Sequence, residues 1–360
     1  MLRGIGLFCL FLSASVLFGA GCTGSLGRPS GAVVYSDNQG LSWQSRALLV
    51  GEKNRKTVLA AIEVSRMVTD PRNPKVLFMG TRGHGLFGSN NGGVTWSQFI
   101  PGEYITDIAF DAVDRCTLYV LTPRRALKTT SCAKEWSVIL VESRASTAFM
   151  SIGINPRSRN NVLVLSNTGD VFRSSDGGAS WSAVYRFRER VMRNLVVDGR
   201  YASRAYAVST DGYVYKTSDW GVSWNDISGK MREKMSSPEF VGFSLLSRPG
   251  NLMYASRSSI LVTRNDGTSW EKLPLLTPNG TANIRAASVD PRNATSFVYA
   301  TGSTLNLTSN SGQQWVVRPL PVDNDPSVIL VHPSKGSIYL GLRKIRDESQ
   351  YWYRQQGEFN

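Results

Sequence analysis

SSDGGASW, residues 174–181, decides how this chain reads. Close copies run through it: SDNQGLSW ends at Trp43, SNNGGVTW at Trp96, TSDWGVSW at Trp224, TRNDGTSW at Trp270 and TSNSGQQW at Trp315. A worn copy, TTSCAKEW, ends at Trp136. Successive tryptophans stand 53, 40, 45, 43, 46 and 45 residues apart. The first position of this box is Ser or Thr in all seven copies. The third is Asn38, Asn91, Asp176, Asp219, Asn265 or Asn310 in six of them. Such a side chain accepts a backbone N–H and holds a turn closed. The fifth position is Gly in the same six, where a positive φ meets no Cβ. The closing Trp is a large apolar plate beside the turn.

A period of about 40–50 residues with four short strands per unit indicates a β-propeller. The fourth unit shows the strands best: 149–155 as A, 161–166 as B, 170–175 as C and 179–185 as D. Links such as DPRNPK (70–75), NPRSRN (155–160) and DPRNAT (290–295) carry turn chemistry between A and B. Before the first box there is room for one strand, 31–36, and after the last box for two, about 325–332 and 336–343. The N-terminus therefore supplies strands C and D of a blade whose A and B come from the C-terminus. The expectation is an all-β, seven-bladed β-propeller of four-stranded antiparallel blades over residues 31–348, closed by that composite blade, with residues 349–360 as a tail.

The box resembles the Asp-box, or BNR, repeat of sialidase-like propellers, over roughly residues 31 to 348. In those families the boxes sit on outer hairpins away from the active face, so the resemblance implies fold and assigns the box residues a structural role.

Residues 1–21 form a separate segment. Arg3 precedes an apolar run, Ile5 to Phe18, and then Gly19, Ala20 and Gly21. That pattern is a secretory signal peptide. Cys22, directly after the small residues, resembles the acylated cysteine of bacterial lipoproteins, although Gly19 stands where that family has Leu. Lipidation at Cys22 with a tether over 22–30 is the expectation, and plain cleavage the alternative; two acyl chains would anchor stably where one would not. Removing the leader takes away one arginine and leaves 40 basic against 27 acidic residues. Cys9 leaves with the leader. Cys116, at the start of strand B of the third unit, and Cys132, in its worn box, come to one edge of the blade and can form a disulfide, which an oxidising compartment permits. Two free thiols are the alternative.

Catalytic signals are sparse. The two histidines, His84 and His332, lie in different turns, and no cluster has zinc spacing. No cofactor is expected. Glycoside hydrolysis needs two carboxyl groups flanking the bond. Glu63, Asp107 and Glu239 are the acids available to inner strands and loops. Sialidases and xyloglucan-degrading enzymes share the box, which implies the hydrolase alternative, but the arginine-containing R-I-P motif of sialidases is missing. The positive signal is basic. In this fold the B–C turns and D–A links share one face, here the loop face, and the A–B and C–D turns share the other, the box face. The B–C turns carry Arg82 and His84, Arg124 and Arg125, Arg257, and Arg343 with Lys344. Arg343, Lys344, Arg82, Arg124 and Arg125 should form an arc, with Arg257 to one side. The D–A links add Lys53, Arg55, Lys56, Arg188, Arg190, Arg193, Lys230, Arg232 and Lys234. Such a face suits an anionic partner. The chain reads as a non-catalytic binding lipoprotein of the periplasm or cell surface. It would dock a protein complex or an anionic glycan there, without nucleic acid, and meet the membrane through its N-terminal lipid. Photosystem II assembly factors form another Asp-box propeller family, and this box pattern is similar to theirs only at the level all such propellers share.

Overall fold

The computed structural model describes residues 31–344 apart from 52–54, 61, 202, 279 and 322. The leader, Cys22, the tether, Lys53 and the stretch 345–360 lie outside the described residues. The fold is a seven-bladed β-propeller of four-stranded antiparallel sheets. Blade 1 combines Asp325–Val331, Ile338–Arg343, Val33–Ser36 and Gln44–Ser45 in that order, with Val34 paired to Leu340 and Tyr35 to Tyr339. Blade 2 runs Val64–Thr69, Leu77–Thr81, Gly85–Ser89, Ser97–Pro101, and blade 3 runs Asp107–Phe110, Leu118–Leu121, Arg125–Thr129, Ser137–Val141. Blade 4 begins at strand Phe149–Ile154, blade 5 at Met192–Val197, blade 6 at Phe240–Leu245 and blade 7 at Ala286–Val289. These first strands are innermost and touch one another in succession, including that of blade 7 with Asp325–Val331 and that of blade 2 with both its neighbours.

The B strands are buried on both faces because blades stack side to side. Leu77–Thr81, Val162–Ser166, Ala205–Ser209 and Leu252–Ser256 are buried along their whole length. The core is accordingly split among the described residues into seven apolar clusters, one at each blade junction. Continuous apolar strands with β-branched and aromatic residues are what such two-sided burial requires.

Two local differences from the sequence reading have plain causes. Strand D of blade 4 is Ser182–Arg186 and starts after Trp181, because the box beyond Ser174, the last residue of strand Asp170–Ser174, bends the chain back. The link from blade 1 to blade 2 forms an extra hairpin, Leu48–Val50 with Lys56–Val58, which attaches to blade 2 through Val50 N–H to Trp96 C=O (2.9 Å) and Trp96 N–H to Leu48 C=O (2.8 Å). One short helix, Gly229–Arg232, stands in the link after blade 5.

Candidate functional site

The boxes are built as turns with two linked side-chain acceptors. The first-position hydroxyl accepts the fifth-position N–H: Gly40 to Ser36 at 2.8 Å, Gly178 to Ser174 at 2.7 Å, Gly221 to Thr217 at 2.9 Å. The third-position oxygen accepts the seventh-position N–H, as from Ser180 to Asp176 and Ser223 to Asp219. These bonds, with those from the Ser180 and Ser223 hydroxyls, hold both carboxyls below the usual range; for Asp219 they outweigh burial, the largest influence, which acts the other way. The worn box keeps the same turn: Ala133 N–H reaches Thr129 Oγ1 (3.2 Å) and Glu135 N–H reaches Ser131 Oγ (2.9 Å). Cys132 is joined to Cys116 by a disulfide and donates its N–H to the Cys116 carbonyl (3.2 Å).

On the loop face, the arginines of the expected arc are held by groups of the protein. Arg82 lies 3.7 Å from Glu63 and over the Tyr104 ring. Arg124 donates to the carbonyls of Arg144, Ala145 (2.6 Å) and Thr147 (3.1 Å), tying down the link 142–148. In that link Glu142 is held low by its hydrogen bond from Arg144, which also reaches Asp170 (2.8 Å). Arg125 pairs with Glu103. Arg257 pairs with Glu239 (3.1 Å) and Asn283 (3.2 Å). Arg343 lies 3.6 Å from Asp325. His84 and Lys344 are exposed.

The unpaired cations lie in another sector. Around blade 5, Arg188, Arg193, Lys230, Arg232 and Lys234 are all exposed, and none has an anionic partner among the described residues. Arg190 and Arg232 both stack on Tyr213, with guanidinium carbons 3.7 and 4.0 Å from the ring centroid. Arg190 is also 3.5 Å from Asp211, whereas Arg232 is exposed and forms no ion pair among the described residues. Stacking fixes a guanidinium while leaving its donors free. Arg55 and Lys56 add exposed charge on the link before blade 2.

The acids named for hydrolysis are occupied. Asp107 is 2% exposed. It meets Arg66 Nε at 2.8 Å and accepts from the Ser151 hydroxyl (2.5 Å) and the Ile152 N–H (3.0 Å), pinning blades 2, 3 and 4 together. Glu63 and Glu239 face Arg82 and Arg257. Among the described residues no group of three or more His, Cys, Asp or Glu could hold a metal ion, and no helix is long and apolar enough to cross a membrane.

Sequence reading missed the arginines of the A–B links. Arg72 donates to the Val113 and Asp111 carbonyls of the next blade, Arg157 to Arg200 (2.8 Å), and Arg200 to Leu246 (2.9 Å). The signal was present as Asp/Asn followed two residues on by Arg, in 70–72, 155–157, 198–200 and 290–292.

No family model matches the chain. A xyloglucanase, Xgh74A of Acetivibrio thermocellus, is 29% identical over 159 residues, which are 43% of this chain and 16% of that protein. The chain thus matches only a small part of that relative's length. Among solved structures, a YCF48 protein bound to a D1 peptide superposes with a TM-score of 0.60 at 18% identity, covering 80% of this chain and 94% of the other. An ancestral GH74 enzyme superposes with a TM-score of 0.62 at 18% identity, covering 89% of this chain and 47% of that one. At such identities these likenesses speak for the propeller fold.

Proposed function

We propose that the chain is an exported, non-catalytic scaffold that docks an anionic segment of a partner protein on its loop face, with Cys22 acylated as the anchor to a membrane. The observation that carries the reading is the blade 5 sector, where five exposed cations form no ion pair among the described residues. Unpaired charge on one face raises the local concentration of an anionic partner, and salt weakens the effect. Arg232, already oriented by Tyr213, is suited to bidentate capture of a carboxylate. Arg82, His84 and Lys344 extend the surface, whereas Arg124 serves the fold. The YCF48 neighbour, of nearly the same extent, was solved with a peptide bound, which supports peptide docking by a propeller of this size.

The test compares two charge reversals in pull-downs from the native membrane fraction. Arg188→Glu/Arg232→Glu/Lys234→Glu is expected to fold and lose the partner. Arg264→Glu/Lys335→Glu, on the box face, is expected to retain it. Equal recovery by both would overturn the proposal. In the same fractions, Cys22→Ser should move the protein out of the membrane.

The match to a xyloglucanase supports a second reading, glycoside hydrolysis. It requires two carboxyls free to act, and Asp107, Glu63 and Glu239 each sit against an arginine. Release of sugar from xyloglucan by the purified chain, lost in Glu63→Gln, would favour it over docking.

A further inference from the structure

The worn box, residues 129–136 of blade 3, has lost the ties that close the other boxes. In five of the six intact boxes the third-position side chain also bonds the seventh-position hydroxyl, as Asn38 does with Ser42 (2.8 Å) and Asn265 with Ser269 (2.8 Å). In the worn box these positions are Ser131 and Glu135, and the one oxygen of Ser131 accepts the Glu135 N–H (2.9 Å). Its fifth-position N–H reaches the acceptor at 3.2 Å, against 2.7–3.0 Å where glycine stands. The fourth and fifth residues, Cys132 and Ala133, both carry a Cβ at positive φ. The Trp136 indole N–H is buried without a partner among the described residues, whereas five of the other box tryptophans donate theirs.

The tie that replaces them is covalent. The Cys116–Cys132 bridge fastens the turn to the chain just before strand Leu118–Leu121. Cys132 is exposed and Cys116 half-buried. Both line a cleft of about 390 Å³ between blades 2 and 3 on the box face, so the bridge borders open space rather than core. Access of a thiolate to one of the sulfurs is the first condition for exchange, and an exposed bridge meets it.

We propose that this bridge is a thiol-exchange site, through which a dithiol reductant loosens the worn box while the propeller stays folded. A thiolate of the dithiol attacks Sγ of Cys132, the exposed residue of the pair, and forms a mixed disulfide; Cys116 leaves as a thiolate and takes a proton. The second thiolate of the reductant then attacks its own sulfur in the mixed disulfide, and Cys132 leaves and is protonated in turn. The dithiol gives up two electrons and two protons and becomes a disulfide, and the bridge becomes two thiols. Without the bridge, two residues held in the left-handed region against their Cβ atoms are free to leave it. The six intact boxes close by their own side chains, so the opening stays local. The site lies on the box face and stands apart from docking at the blade 5 sector.

The experiment incubates the oxidised full chain with dithiothreitol in the absence of denaturant, then alkylates it and locates the label by peptide mass. Cys116 and Cys132 are both expected to label in the folded protein. Amide hydrogen exchange should accelerate by about tenfold or more over residues 129–136 and stay unchanged over the intact boxes 174–181 and 217–224. Ser131→Asp/Ala133→Gly/Glu135→Ser rebuilds an intact box around the same two cysteines; exchange over 129–136 in this variant is expected to be the same oxidised and reduced. Labelling only after denaturant is added, an unchanged rate over 129–136 in the reduced wild type, or an equal rise in the intact boxes would each overturn the proposal. So would a rebuilt variant that loosens on reduction as much as the wild type. Should that variant not fold, the two redox states of the wild type decide alone.

Discussion

Ala133 sits at φ +65° and Cys132 at φ +56°, in the left-handed region where a Cβ is costly. The six intact boxes place the same two positions there, with glycine at the fifth: Gly40 at +81°, Gly93 at +77°, Gly178 at +99°. The worn box thus keeps a conformation its residues disfavour, and the disulfide holds it. Cys116→Ser/Cys132→Ser is expected to lower the unfolding free energy by about 3 kcal/mol for a loop of this length. Adding Ala133→Gly should restore part of the loss, because glycine takes the angle freely. Urea unfolding of the three proteins reads both effects; an unchanged midpoint in the double serine variant would contradict the first. His332 is a second single-residue case. Its Nδ1 accepts the N–H groups of Ser334 (3.3 Å) and Lys335 (3.2 Å), the role Asp70 and Asp290 play in other A–B links. Burial, and then Lys335, depress its pKa from the ordinary 6.5. A depressed histidine binds its proton more readily when unfolded, so its contribution is complete above about pH 6.5 and lost as the pH falls below it. His332→Asp should therefore flatten the fall in thermal midpoint between pH 7.5 and pH 5. An equal fall in both proteins would contradict this.

At the scale of elements, the boxes, strands and blade count were legible because their determinants are local: a hydroxyl, an Asp or Asn and a glycine at fixed offsets before a tryptophan. Glycine at position five announces its φ. The equally positive φ of position four was hidden, since Gln39, Trp220, Asp266 and Ser311 occupy it as well as glycine. What the tryptophans do was also beyond local reading. Trp96, Trp270 and Trp315 donate their indole N–H to the preceding blade, at Arg46, Ile227 and Pro274, whereas Trp181 and Trp224 donate within their own boxes. That choice depends on how two blades pack, which the spacing of 40–53 residues does not encode.

At the scale of the molecule, counting basic residues was a poor guide to available charge. The turn assignments put arginines on the loop face, but the identity of the free ones depends on acids distant in sequence. Arg125 meets Glu103 and Arg257 meets Glu239, while Arg188 and Arg232 meet none among the described residues. The box face is basic too, yet Arg72, Arg157 and Arg200 are engaged in stitching one blade to the next. The proposed docking surface therefore centres on the blade 5 sector. The most direct measurement introduces a photo-crosslinking amino acid at position 234, beside Arg232, or at position 264 on the box face, and irradiates the protein in its own membrane fraction. Docking on the loop face requires a salt-sensitive protein adduct from position 234 and none from position 264. An adduct from position 264 alone would contradict it.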